Sequence, residues 1–350
     1  MAYLSLSRSI QACRQLTVSA HSNFVPAFAL LPEEKRQAME ILYAYTRYTD
    51  DLADKPEEEE SAGDSTESLD RKREKLRQWL GALESVLGKP GEPPPPWEPS
   101  SEESFQAVAQ RFPGCSGILY LPALKMVVEK YAIPRESLFQ LMEGVLSDME
   151  PKPFADMEAS EAYCRRVAVS VGMASLAVWG TTVPLDSEPL LRAAAACGLA
   201  FQWTNIVRDL REDYRNGRIY LPQSDLAQFG LTPPQFGTLL GGTLLGGGEP
   251  DSQQFSRQFS QLLSYQLERG GRYYRESLPL YGMIHPDSRR TFGLMWHYYY
   301  SLYRKIVRRP LLVCGEARIR LSVIQKASLW LRWRFLPLPT PARMTRLKSP

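Results

Sequence analysis

Apolar residues recur three and four positions apart along much of the chain, and Ala38, Ile41, Tyr45, Tyr48 and Leu52 form one such row. At about 100° per residue, that spacing keeps a row on one side of a helix. Runs that alternate apolar and polar residues between turn signals, the mark of strands, are missing. The pattern predicts an all-α fold with helices near 3–21, 33–54, 67–87, 120–131, 135–148, 159–180, 187–213, 253–277, 286–309 and 317–333. No repeat of solenoid length interrupts it, so one compact helical domain is expected over 1–335.

Three stretches fall outside the periodicity. "KPEEEESAGDSTES" and "GKPGEPPPPWEPSSEES" predict a flexible acidic and proline-rich insertion at about 55–118. "LTPPQFGTLLGGTLLGGGEPDSQQ" neither follows a strand nor spells G-x-G-x-x-G, so it reads as a loop and not as a nucleotide cradle. Residues 336–350 read as a mobile basic tail, whose interleaved aromatics are compatible with peripheral membrane contact.

Composition narrows the chemistry. With 350 residues, 44% hydrophobic and 23% charged, the chain buries a core without staples. A net charge of +3, read as spread along the chain, leaves no footprint for nucleic acid. Cys13, Cys115, Cys164, Cys197 and Cys314 are scattered and odd in number, which fits a reducing cytoplasm better than a disulfide framework. Three distant histidines, His21, His285 and His297, exclude a zinc cluster, so any metal must be held by oxygen. The N-terminus lacks the charge and apolar run of a signal peptide. "VAVSVGMASLAVWG" is shorter than the roughly 20 residues that span a bilayer and predicts a buried helix.

Two polar stripes carry the candidate chemistry. Tyr43, Arg47, Asp50 and Asp54 are spaced i, i+4, i+7 and i+11, with Asp51 beside them. Alone, this is equally the wet face of a surface helix. In "GLAFQWTNIVRDLREDYRNGRIYLP", Gln202, Asn205, Asp209 and Asp213 form a second stripe, flanked by Leu199, Phe201, Ile206 and Leu210. Carboxylates set into an apolar helix must be paired or bound, because an unpaired buried charge is very costly. Two D-x-x-x-D stripes with arginines at their margins suit Mg²⁺ bridging carboxylates to a diphosphate, and apolar surroundings suit a hydrocarbon tail.

On these residues the chain resembles the squalene/phytoene synthase family of head-to-head isoprenoid condensing enzymes, from about Ser9 to about Leu331. "HSNFVPAFALLPEEKRQAMEILYAYTRYTDDLAD" resembles its first aspartate motif, "YCRRVAVSVG" its central signature and "QWTNIVRDLREDYRNGRIYLP" its second motif. The resemblance implies a single-domain helical bundle around a central apolar cavity. It assigns several Mg²⁺ ions to Asp50, Asp54, Asp209 and Asp213. Diphosphate contacts fall on Arg47, Gln202, Asn205, Arg208, Arg218 and Tyr220, with Arg47, Arg208 and Tyr163 serving catalysis. Phe24, Phe28, Tyr43, Tyr163, Val167 and Tyr303 would line the isoprenoid channel.

The implied reaction condenses two C15 or C20 allylic diphosphates through a cyclopropylcarbinyl diphosphate to squalene-, hydroxysqualene- or phytoene-type products. "SNF" and "DDLAD" lean toward the bacterial squalene-forming branch. NADPH is compatible with that branch, although no dinucleotide fingerprint occurs. A cytoplasmic monomer, with or without membrane association, is the expected form. Head-to-tail prenyl diphosphate synthases and terpene cyclases share D-D-x-x-D, but their second motifs differ from "NIVRDLRED". A non-catalytic assembly protein on the same fold would be expected to lose aspartates that are present here.

Overall fold

The computed structural model of the protein describes residues 5–20, 22, 24–54, 65–98, 100–240, 250–339 and 344. Its contacts gather the chain into two compact units, Met1–Glu150 with Met173–Thr181, and Pro151–Gly172 with Thr182–Pro350. Among the described residues there is no strand.

The first unit holds α1 (Leu6–Ser19), α2 (Val25–Phe28), α3 (Glu33–Asp54), α4 (Ser65–Leu87), α5 (Glu102–Arg111), α6 (Leu121–Lys130) and α7 (Arg135–Ser147). Glu33 and Glu34 occupy the first turn of α3, where carboxylates meet the positive end of the helix dipole. The apolar row of α3 is its buried face: Ala38, Ile41 and Tyr45 are almost fully enclosed. Polar groups on that face are satisfied in series. Tyr45 donates to the Leu138 carbonyl (2.8 Å), Thr49 to the Tyr45 carbonyl (2.9 Å), and Trp79 Nε1 to Thr49 Oγ1 (2.9 Å).

Within the stretch 55–118, expected to carry a flexible insertion, residues 55–64 lie outside the described residues, and α4 is the helix expected near 67–87. The difference is α5, a further helix where a loop is expected. Leu76, Trp79, Leu83, Val86 and Phe105 are buried because the 3.6-residue period resumes after the acidic run. The proline-rich segment is pinned too. Trp97 meets Phe105 edge-on at 4.7 Å, with Lys125 Nζ 5.0 Å above its ring, and Arg135 donates to the carbonyls of Leu87 and Glu92.

The second unit holds α8 (Met157–Cys164), the link Arg165–Val169 and the first three residues of α9 (Ser170–Trp179), whose remainder belongs to the first unit, then α10 (Glu188–Arg215), α11 (Gln223–Gln228), α12 (Pro233–Leu240), α13 (Pro250–Met283), α14 (Arg289–Arg308) and α15 (Val323–Phe335). Small residues on α10 (Ala193, Ala194, Ala196, Gly198, Ala200) are buried and let neighbours approach. Trp203 Nε1 donates to the Gln266 carbonyl (3.0 Å), and Thr204 and Tyr274 share a 2.9 Å hydroxyl contact, which ties α10 to α13.

Two further expectations change here. The glycine-rich loop begins as α12, with Phe236 buried against Phe259, and residues 241–249 lie outside the described residues. In the basic tail, residues 340–343 and 345–350 also lie outside them, yet Met344 is buried, its carbonyl 3.1 Å from His297 Nε2. All five cysteines are buried and unpaired, and burial pushes the Cys115 and Cys314 thiols up to about 11.

Candidate active site

In the first unit the predicted stripe is the less buried side of α3. Tyr43 meets the buried Phe28 edge-on at 6.2 Å, and burial raises its phenol above the ordinary value. Phe24 precedes α2, its N–H donating to Ser22 Oγ (3.1 Å). Arg47 pairs with Asp51 at 2.6 Å, an i, i+4 contact that places Asp51 as the arginine's partner. Asp50 is exposed, and the Asp54 side chain lies outside the described residues.

The second stripe lies on the C-terminal half of α10. Asn205 Nδ2 donates to Gln202 Oε1 at 3.3 Å. Arg208 Nε donates to Asp209 Oδ1 (2.7 Å), and its Nη2 donates to Oδ2. Arg318, from the segment before α15, adds a second fork, Nε to Oδ1 (3.0 Å) and Nη2 to Oδ2 (2.7 Å). Burial pushes the Asp209 carboxyl upward, but hydrogen bonds and charge from Arg208 and Arg318 outweigh it and hold the group below the usual carboxylate range. Tyr299, stacked on Phe201 at 4.4 Å, hydrogen-bonds to the Asn205 side chain and is itself raised by burial.

The end of α10 joins two predicted site residues through the backbone. Gly217 takes φ +74°, a left-handed conformation that glycine alone adopts without a Cβ penalty. Its N–H donates to the Tyr214 carbonyl (3.0 Å), and that of Arg218 to the Asp213 carbonyl (2.8 Å). This pair is a Schellman cap, and "RNGR" encodes it. The cap sets Arg218 beside Asp213 and sends the chain to Tyr220, which stacks on the buried Tyr163 at 5.0 Å and 22°. Phe154 flanks both rings, and Ser160 donates to the Tyr220 carbonyl (2.9 Å). Val167 sits on a π-helical turn, Arg165–Val169. Gly198 makes room for that turn, since a Cβ there would lie 2.8 Å from Val169 Cα.

The donor set fits Mg²⁺ bridged by phosphate. Asn205 Oδ1 is buried with no hydrogen-bond partner, one turn before Asp209, and Asn205, Asp209 and Asp213 offer hard oxygens. Among the described residues, no three His, Cys, Asp or Glu side chains are grouped to hold an ion. Mg²⁺ needs no such cage where one or two carboxylates and substrate phosphates complete its shell.

Sequence reasoning missed Arg318 and Tyr299. Arg318, one of two arginines in "GEARIRLS", has no spacing signal linking it to α10. Tyr299 and Tyr303 are i, i+4 in a tyrosine-rich run, where spacing alone favours neither. Tyr303, expected in the channel, donates its hydroxyl to the Leu267 carbonyl (2.8 Å) and packs on Tyr274 at 5.0 Å, joining α14 to α13.

A helical fold with an arginine-forked aspartate stripe and an oxygen donor set is suited to phosphate esters and hard cations. The model of the family described as squalene/phytoene synthase matches residues 18–325. The phytoene synthase of Arthrospira platensis is 30% identical over 293 residues, covering 81% of this chain and 79% of its own. Among solved structures, a dehydrosqualene synthase in complex with ligand superposes with TM-score 0.66 at 22% identity, over 94% of this chain and 96% of that one. Squalene synthase HpnC from Alicyclobacillus acidocaldarius does so with TM-score 0.60 at 23% identity, over 87% and 95%. The chain belongs to the squalene/phytoene synthase family. It is accordingly a prenyltransferase that joins two prenyl diphosphates head to head.

Proposed function

We propose that the protein condenses two molecules of a C15 or C20 allylic diphosphate through a cyclopropylcarbinyl diphosphate. The observation that carries this is Asp209, held between the forks of Arg208 and Arg318 beside the orphaned Asn205 Oδ1. Guanidiniums stacked on one carboxylate are matched in geometry to phosphate oxygens and can exchange one anion for the other.

Arg208 and Arg318 turn to the diphosphate as it binds, and this frees Asp209 to act with Asp213 toward Mg²⁺. Gln202, Asn205, Arg218 and Tyr220 orient the phosphate oxygens. In the first stripe Arg47 leaves Asp51 for phosphate, with Asp50 and Asp54 as the metal carboxylates. When bound, Mg²⁺ supplies Lewis-acid stabilisation of the departing diphosphate. The donors accept charge as the allylic C–O bond breaks, the main catalytic effect in such a site. The double bond of the second substrate then attacks C1 of the first.

Phe24, Phe28 and Tyr43 of the first unit, and Val167 of the second, are assigned to present apolar and aromatic surface to the isoprenoid, and aromatic faces stabilise a passing cation. Within the second unit we add Phe201 and Tyr299 to the lining, and assign Tyr303 to support Tyr274. We assign Tyr163, buried with its ring stacked on Tyr220, to steer the proton lost in the second stage, with the released diphosphate as its acceptor. NADPH, where used, would turn the outcome toward a squalene-type hydrocarbon. A hydrocarbon of that size is insoluble in water, so we place the protein in the cytoplasm at a membrane surface.

The test uses Asp54→Asn and Asp213→Asn, each with Mg²⁺ and farnesyl or geranylgeranyl diphosphate. Each should lose turnover by about 10²–10³-fold or more. Full activity in either contradicts the metal assignment.

A further inference from the structure

The net charge of +3 conceals a strong asymmetry. Residues 300–350 hold 12 of the 42 lysines and arginines and one of the 39 acids, Glu316, so that segment is +11 and the remainder −8. The exposed apolar residues gather in the same place. Of eleven large hydrophobic side chains exposed among the described residues, nine lie between Val307 and Leu338.

Helix α15 shows how the two coincide. Ser322 caps it with Gln325 in a capping box. Its inner face is Leu329 and Trp333, both buried, with Trp333 Nε1 donating to His297 Nδ1 (3.2 Å). Its outer face carries Ile324, Leu331 and Phe335 at i, i+7 and i+11, which are 81%, 52% and 70% exposed. Arg332 and Arg334 fall about 80° to either side of that row at 100° per residue. The Arg334 guanidinium lies 5.9 Å over the Phe335 ring. An apolar stripe edged by arginines, with Trp330 beside it, is the composition of a helix that lies in the plane of a lipid interface.

Beside α15 a cavity of about 250 Å³ carries Lys305, Arg308 and Arg309 on its wall. It also receives Ser301 Oγ, buried and without a hydrogen-bond partner. No acidic residue lines it. Three cations and an unpaired hydroxyl around a small cavity are suited to a phosphate headgroup.

We propose that α15, the exposed leucines of the turn Pro310–Cys314 and the cavity at Lys305, Arg308 and Arg309 form one face that docks peripherally on an anionic lipid bilayer. A second copy presenting the same cations, Lys305, Arg308, Arg309, Arg332 and Arg334, would be repelled. No helix among the described residues is long and apolar enough to cross a membrane, so the contact is made from one side. The inference stands on this surface and is independent of the reaction proposed above.

The full chain is sedimented with vesicles of equal parts phosphatidylcholine and phosphatidylglycerol, and with vesicles of phosphatidylcholine alone. It should pellet with the anionic vesicles far more than with the neutral ones, and salt near 1 M, where the Debye length is about 3 Å, should release most of it. Ile324→Asp with Phe335→Asp should lower the bound fraction roughly tenfold or more, because each removes a large apolar group from the lipid. The same variant should keep its far-ultraviolet helical signal and its turnover without vesicles, which separates lost docking from lost folding. Three results would overturn the proposal: wild-type protein left in the supernatant, equal pelleting with both vesicle types, or a double variant that pellets like wild type. So would light scattering that shows a self-associated wild type, broken by the double variant, with no vesicle binding.

Discussion

At the scale of single residues, Asp209 carries most of the account. Its carboxyl is held low by Arg208 and Arg318 against the upward push of burial. A group with a depressed folded pKa contributes stability above its unfolded value, about 3.9, and loses that contribution as pH falls through the folded one. Urea unfolding followed below about pH 4 should therefore be less steeply pH-dependent in Asp209→Asn than in wild type. A mutant curve parallel to wild type would show that the forks add nothing. Tyr299→Phe should keep the fold, lose about 1 kcal/mol with the hydrogen bond to Asn205, and raise KM more than it lowers kcat. The two aspartate stripes proposed to hold metal were visible in the sequence because helical spacing is local. Arg318 was not, because its partner on α10 is set by the fold and not by any nearby residue.

Among the elements, the informative ones are the cap of α10 and the anchors behind it. Gly217→Ala forces a Cβ into the left-handed region, a penalty of about 1–2 kcal/mol. Because the cap also sets Arg218 beside Asp213, KM for the diphosphate should rise along with the fall in thermal stability. A loss of stability alone would place the cap outside substrate binding. Downstream, Asp225 on α11 pairs with Arg269 on α13, both side chains 7% exposed, and Gln266 bonds to each. Arg269 also lies 4.7 Å over the Tyr265 ring and 5.4 Å over that of Trp203. Asp225→Ala leaves that guanidinium buried without its anion, so a loss of about 3–5 kcal/mol is expected in denaturant titration.

The anchor of α15 behaves differently with pH. The His297 ring is enclosed by Trp333 Nε1, which donates to Nδ1 (3.2 Å), and by the carbonyls of Gly293 at Nδ1 and Met344 at Nε2, each 3.1 Å away. Burial lowers the ring to about 4. The neutral ring is the stabilising form, so its contribution is present above the unfolded value of about 6.5 and is lost as pH falls toward 4. Tryptophan emission from wild type should report loosening over that window. The helices that sequence periodicity missed, α5 and α12, are short and lie next to proline and glycine runs, where composition outweighs period. The π turn within "YCRRVAVSVG" has no sequence signature of its own, since it depends on Gly198 of another helix leaving space.

Over the whole molecule, periodicity identified the fold class because nearly every long helix buries one face. It did not reveal that the contacts divide into two units, since each long helix looks the same whichever core it serves. The charge asymmetry was present in the composition but hidden in a near-neutral total. The central claim is head-to-head condensation, and mass analysis of the products tests it most directly. Purified protein is incubated with Mg²⁺ and farnesyl diphosphate, then separately with geranylgeranyl diphosphate, each with and without NADPH. One substrate should yield a cyclopropyl diphosphate or a hydrocarbon or alcohol of doubled carbon number. A diphosphate lengthened by a single C5 unit, or no consumption of either substrate, would contradict the account.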